Sequence, residues 1–202
     1  MTARVFLASR NRKKLAEMER ILRKHLPEVE VVGLDDVAAY DEPVEDQQTF
    51  ADNALLKARA GRTATGLPTI ADDSGLCVEA LNGMPGVLSA RWAGPPKSDD
   101  RNNELLLAQL ADVPDERRGA HFVCAVALCS DAGEQVVHGR MDGRIIREKR
   151  GSGGFGYDVV FVADEHPGVT TAELSVADKD AISHRGRALR ELAPLVAQIL
   201  NG

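Results

Sequence analysis

The feature that most restricts how this chain can fold is a change of hydrophobic period near its start. Val5-Phe6-Leu7-Ala8 is an unbroken apolar run, the mark of a buried strand. Leu15, Met18, Leu22 and Leu26 then recur at the spacing of one helix face, and Pro27 ends the pattern. Val29 to Leu34 returns to strand character, and the acidic segment Asp41 to Asp46 is loop-like. Thr49-Phe50-Ala51-Asp52 resembles a capping box, opening a helix that carries Asn53 and Lys57. A short strand is expected at Thr69 to Ala71 and a turn at Gly83-Met84-Pro85-Gly86. Ser98 can cap a helix with Asp99 and Asp100 in its first turn and Leu106 and Leu110 among its apolar positions. Strands at 121–129, 134–139, 142–147 and 158–162 follow, the middle two as a hairpin. The last helix starts near Ser183 and should kink or break at Pro194. Helices alternate with strands early and strands run consecutively later. The expected fold class is therefore α/β (mixed α+β), a mixed sheet with helices packed on it.

With 202 residues, 44% of them hydrophobic, the chain can bury one large core or two lobes. Nothing resembles an interdomain linker, so residues 1–202 are taken as a single domain. A net charge of −6 argues against broad binding to nucleic acid, because such proteins carry a basic face. The cations instead gather at glycine- and turn-rich segments, which suits a small anionic ligand in a pocket. The cysteines Cys77, Cys124 and Cys129 are odd in number and lack metal-ligand spacing. An odd separation along a strand points Cys124 and Cys129 to opposite faces. They are expected to be buried, inert thiols of a cytoplasmic protein. The first apolar run is too short for a signal peptide, and no segment approaches a membrane span.

Four segments carry the chemistry. Thr69-Ile70-Ala71-Asp72-Asp73-Ser74-Gly75 ends an apolar run in two adjacent carboxylates. Like charges brought together raise each other's pKa, and a bound cation removes that cost. Mg²⁺ suits oxygen-rich sites of one or two carboxylates, waters and substrate phosphates. Taken alone, though, Asp-Asp-Ser-Gly is first an ordinary turn. Ser9-Arg10-Asn11-Arg12-Lys13-Lys14 sets hydroxyl, amide and cationic groups at a helix start, where free N–H groups and the dipole favour phosphate. A solvated basic first turn explains it equally well, and no Walker A string occurs. Gly151-Ser152-Gly153-Gly154-Phe155-Gly156-Tyr157-Asp158 has backbone freedom for an anion-binding nest, with Phe155 placed to stack on a flat base. Packing on the core is favoured for Tyr157. In Lys179-Asp180-Ala181-Ile182-Ser183-His184-Arg185, cations fall in the first turn of a helix, where a bound anion would offset their unfavourable placement.

In this order the motifs resemble those of the ITP/XTP pyrophosphatases, which hydrolyse non-standard purine nucleoside triphosphates. The strings are Ser9-x-Asn11-x-x-Lys14, Thr49-Phe50-x-x-Asn53-Ala54-x-x-Lys57-Ala58, Ala71-Asp72-Asp73-Ser74-Gly75-Leu76, Pro85-Gly86-x-x-Ser89-Ala90-Arg91, Gly153-Gly154-Phe155-Gly156-Tyr157-Asp158 and Ile182-Ser183-His184-Arg185. The resemblance covers nearly the whole chain and overrides the turn reading of the Asp pair. It implies a two-lobed fold around a long mixed sheet with the nucleotide in a cleft between lobes. It also implies cleavage between the α and β phosphates, Mg²⁺ as cofactor and a homodimer. By position, Ser9, Asn11 and Lys14 would hold phosphate, and Glu45 with Asp73 the metal. Asp73 would orient or deprotonate the attacking water, with Asp72 and Lys57 beside it. Phe155, Gly156, Tyr157, Asp158, Lys179, His184 and Arg185 would form the base pocket, and Ser74 would touch substrate. One departure stands out: Arg10 and Lys13 occupy positions where the family often has glycine. The rival readings are a pyrophosphatase for modified pyrimidine triphosphates and a sensing module that binds nucleotide without cleaving it.

Overall fold

The computed structural model describes residues 3–201. β1 (Ala3–Leu7), α1 (Arg12–His25) and β2 (Val29–Val32) follow the opening pattern, and Leu26 caps α1 ahead of Pro27. A long irregular segment then leads to α2 (Phe50–Thr65), whose first turn is closed by the Thr49 hydroxyl accepting from the Asp52 N–H at 3.1 Å. β3 (Thr69–Val78), α3 (Asp99–Gln109), β4 (Gly119–Ser130), β5 (Gly133–Ile145), β6 (Phe161–Ala163), α4 (Val176–Ile182) and α5 (His184–Asn201) complete the order. The strands form one mixed sheet in the order β2-β1-β3-β4-β5-β6. β1 runs parallel to both β2 and β3, and β5 runs antiparallel to β6. The expected fold class is the observed one.

The chain divides into two compact units. The first comprises residues 1–73, 124–139 and 184–202, and the second residues 74–123 and 140–183. In the first unit strand alternation sorts side chains onto two faces. Val5, Leu7, Ile70, Cys124, Val126 and Leu128 meet α1 and α5 through Met18, Leu22, Leu189 and Val196. Phe6, Ala8, Ala71, Ala125, Ala127 and Cys129 meet α2 through Ala54 and Ala58. Cys124 and Cys129 do lie on opposite faces, and both are buried free thiols. The second unit packs Leu76, Val78, Phe122, Met141 and Ile145 of the sheet against Leu106 and Leu110 of α3.

Four local expectations are corrected. The short strand expected at Thr69 to Ala71 is only the start of the ten-residue β3, which runs on through Asp72-Asp73-Ser74-Gly75; sheet pairing overrides the turn preference of these residues. The two strands expected at 134–139 and 142–147 are one continuous β5, whose hairpin partner is β4 across Asp131 and Ala132. The strand expected at 158–162 is β6 alone, because residues 157–160 turn. The last helix starts at His184, next to Ser183 as expected, but does not stop at Pro194. α5 runs through Pro194 with Leu192, Ala193 and Val196 buried around it, and Ser183 caps the C-terminus of the short, unforeseen α4.

Candidate active site

Extending β3 through the Asp pair changes its electrostatics. Successive side chains on a strand point to opposite faces, so Asp72 and Asp73 enter different surroundings. Asp72 turns to the α1 and α5 side. Its Oδ2 accepts from Arg185 Nε at 3.2 Å and Nη2 at 3.1 Å, and pairs with Lys14 Nζ at 3.2 Å. The Cys124 thiol lies 3.8 Å from the same oxygen. Burial opposes ionisation of Asp72, but Lys14, Arg185 and Lys57 outweigh it and hold the carboxyl well below its usual range. Its other oxygen, Oδ1, is buried without a hydrogen-bond partner.

Asp73 turns to the α2 side. The Asn53 amide donates to Asp73 Oδ2 at 2.9 Å, while Asn53 Oδ1 accepts the Gln47 N–H at 3.0 Å. Burial raises the Asp73 carboxyl above its usual range; Lys57 and Lys14 pull it down, and Glu45 pushes it up. The negative charge that opposes Asp73 is thus Glu45 rather than its sequence neighbour. One turn beyond Asn53, Lys57 donates to Glu45 Oε1 at 2.7 Å and to the Asp72 carbonyl at 2.5 Å. Burial disfavours the Lys57 ammonium, yet Asp72, Glu45 and Asp73 together raise its pKa.

Glu45 therefore opposes ionisation of Asp73 in a partly desolvated setting, a repulsion that Lys57 and Lys14 offset in part and a bound divalent cation would offset further. No group of three or more His, Cys, Asp or Glu among the described residues is arranged to hold a metal. One or two carboxylates completed by water and phosphate oxygens are what Mg²⁺ takes, and hard oxygen donors suit it. The residues fit the ion.

The first motif is placed as follows. Asn11 caps α1, its side-chain oxygen accepting from the Lys13 and Lys14 N–H groups at 3.1 and 3.2 Å. Ser9 opens, with Arg10, Arg12, Tyr40 and Glu42, onto a cavity of ≈ 520 Å³. Arg10, which replaces a family glycine, pairs with Glu42 at 2.7 Å and so ties this motif to the segment that carries Glu45. Ser74 is half-buried on β3.

Arg185 stands apart from its expected place. Its guanidinium lies between Asp72 and Glu17, with Nη1 donating to Glu17 Oε2 at 2.6 Å, and it is 1% exposed. Buried carboxylates, not a bound anion, offset this cation at the start of α5. His184, also buried, begins α5.

In the second unit the glycine-rich loop is satisfied by the protein itself. The Phe155 N–H donates to Asp158 Oδ2 at 2.7 Å, the Gly156 N–H to Asp99 Oδ2 at 2.7 Å and the Gly153 N–H to the Ala172 carbonyl at 3.0 Å. The expected anion-binding nest is therefore occupied by internal acceptors. Lys179 pairs with Asp158, and its ammonium sits 4.9 Å from the Phe155 ring centroid. Tyr157 packs in the core, its hydroxyl donating to the Ser89 carbonyl at 2.8 Å.

Sequence reasoning missed Glu17, Asp99 and Asn103. Glu17 had a signal: a carboxylate between Lys14 and Ile21 on an otherwise apolar helix stripe calls for a buried partner.

A family model for the Ham1 family matches residues 5–195. The dITP/XTP pyrophosphatase of Nocardia farcinica is 61% identical over 199 residues, covering 98% of this chain and 96% of the relative. That of Mycolicibacterium paratuberculosis is 60% identical, covering 94% of each. Among solved structures, a nucleoside-triphosphatase/dITP/XTP pyrophosphatase from Mycobacterium abscessus is 55% identical with a TM-score of 0.76, covering 95% of this chain and 99% of that one. A HAM1 protein from Coxiella burnetii is 40% identical with a TM-score of 0.86, covering 97% and 99%.

Proposed function

Because the chain belongs to the Ham1 family, we propose that the residues gathered around β3 carry the reaction of its pyrophosphatase relatives. The protein is a nucleoside triphosphate pyrophosphatase. It hydrolyses non-standard purine nucleoside triphosphates (ITP, dITP, XTP) to the monophosphate and pyrophosphate. The observation that carries the residue roles is the meeting of Lys14, Glu45, Lys57, Asp72 and Asp73 around one strand.

Asp73, with its raised pKa and one oxygen fixed by Asn53, accepts the proton of the attacking water. Lys14 and Lys57 offset charge on the transferring and leaving phosphates, the main task in phosphoryl transfer. Ser9 and Asn11 contact phosphate beside Lys14, and Ser74 contacts substrate next to Asp73. Glu45 and Asp73 would hold Mg²⁺, which when bound would neutralise charge on the phosphate oxygens. Asp72 stays ionised and anchors Lys14, with Arg185 and Glu17 holding it in turn.

The Phe155–Asp158 loop, Lys179 and His184 serve the base. The loop's internal acceptors support this, because N–H groups already bonded to Asp99 and Asp158 do not attract phosphate, while the Phe155 ring offers a stacking face. A 6-oxo edge accepts hydrogen bonds where adenine's 6-amino group donates. Each buried donor facing that amine would lose about 1–3 kcal/mol, so two or three mismatches reject ATP by on the order of 10²–10⁵-fold. The family resemblance supports a homodimer, and three free thiols support the cytoplasm. No helix among the described residues is long and apolar enough to cross a membrane.

Incubation with ITP or XTP and Mg²⁺, followed by product analysis, tests the reading. IMP or XMP with pyrophosphate is expected, and ATP should turn over far more slowly. Equal kcat/KM for ITP and ATP would end the specificity assignment.

A further inference from the structure

Two side chains at the start of α3 grip both polar groups of a single loop residue. Asp99 accepts the Gly156 N–H at 2.7 Å, and the Asn103 amide donates to the Gly156 carbonyl at 2.8 Å. Asn103 also donates to the Asp99 carbonyl at 2.8 Å. It is 1% exposed, and its Oδ1 is buried without a hydrogen-bond partner. Its two acceptors alone therefore orient the amide; turned over, it would set an oxygen against two carbonyls. Leaving one acceptor unsatisfied is a cost that helix formation does not require, since α3 already has Ser98 as its cap, with the Arg101 N–H on the Ser98 hydroxyl. The arrangement makes sense as a grip on Gly156.

Gly156 follows Phe155 and has φ +61°, a left-handed conformation that glycine adopts without strain. The Phe155 N–H is itself held by Asp158. Two consecutive peptide N–H groups thus end on two carboxylates, and the next residue, Tyr157, is pinned to the Ser89 carbonyl. Phe155 is the loop's half-buried aromatic, with Lys179 over its ring. Stacking on a flat ligand depends on ring position to within fractions of an ångström, which a loop of glycines cannot provide unaided.

We propose that Asp99 and Asn103 are specificity-determining positioning residues, which act through Gly156 to set the Phe155 ring for a 6-oxopurine. This rests on the assignment of the Phe155 loop to the base.

The experiment compares Asp99→Ala, Asn103→Ala, Asp99→Asn and Phe155→Ala, measuring kcat and KM for ITP and ATP. Losing one such hydrogen bond should raise KM for ITP about tenfold, and kcat should move much less. The ratio of ITP to ATP in kcat/KM should narrow. Asp99→Asn, which keeps an acceptor oxygen of the same shape, should recover most of the loss. Asp99 is exposed, so its pair of variants carries the test even where Asn103→Ala does not fold. If Phe155→Ala raises KM while Asp99→Ala leaves both KM and the ratio unchanged, the positioning role is wrong and the base assignment survives. If Phe155→Ala itself leaves KM for ITP unchanged, the base assignment falls first and this role with it. A fall in kcat at constant KM and constant ratio would make both residues merely structural.

Discussion

At Asp72 one carboxylate oxygen bears three bonds to Lys14 and Arg185, and its folded-state pKa lies below the unfolded value of about 3.9. Its stabilisation is therefore full above that pH and is lost as pH falls below it. Asp72→Asn removes the carboxylate with which both the buried Arg185 and the half-buried Lys14 pair, a loss of about 3–5 kcal/mol at neutral pH. Denaturant melts at pH 7 and near pH 3.5 should show a large gap that narrows in acid; equal stability at pH 7 would contradict the buried pairing. Asp73 has the opposite sign. Burial raises its pKa, so its ionised form costs stability as pH rises through the folded value. Asp73→Asn should leave the metal-free melting temperature level or higher while kcat drops roughly 10²–10⁴-fold. Near-normal turnover would move the catalytic role elsewhere, and a large fall in melting temperature would make Asp73 structural. The sequence marked both residues but treated them as a mutually repelling pair. The pleat that parts them is invisible while the strand is taken to end at Ala71.

Elements were legible where one local signal dominated. Thr49 and Ser98 cap their helices as expected, because side-chain capping is decided within four residues. β5 was expected as two strands, the first ending at Gly139. That glycine answers to another element: a Cβ there would fall on the His184 carbonyl oxygen of α5. Gly61 in α2 is the same kind of long-range demand. Propensity alone favours Gly61→Ala by about 0.8–1.0 kcal/mol, but its Cβ would lie 2.8 Å from Thr69 Cγ2 and 2.9 Å from Phe6 Cε1, both in the sheet. Overpacking typically costs about 1–3 kcal/mol, so Gly61→Ala should lower the melting temperature. A rise would show that α2 can back away from the sheet at little cost.

For the molecule as a whole, order of motifs carried more than any motif alone, since each string had an ordinary structural explanation. What order could not supply was the partner of each charge. Arg185 was counted toward the base, and its guanidinium lies against Asp72, 113 positions away in sequence; Glu17 was not counted at all. The distribution of roles has a thermodynamic consequence. Lys14 and Phe155 belong to units with separate hydrophobic cores, and substitutions without shared partners add nearly independently. Inorganic tripolyphosphate and inosine, as competitive inhibitors of ITP hydrolysis, each present one part of the substrate. Lys14→Ala should weaken inhibition by tripolyphosphate, since the variant removes a phosphate-facing cation, and leave inhibition by inosine nearly unchanged. Its melting temperature should also fall, because the same ammonium is an ion-pair partner of Asp72. Phe155→Ala should do the reverse, weakening inosine and sparing tripolyphosphate. Stacking on an aromatic is worth about 1–3 kcal/mol per base, so inosine inhibition should weaken by roughly 5- to 150-fold. If each variant weakened both inhibitors equally, the separation of phosphate from base recognition would be wrong. Loss of inosine inhibition in Lys14→Ala alone would move the base to the other end of the assignment.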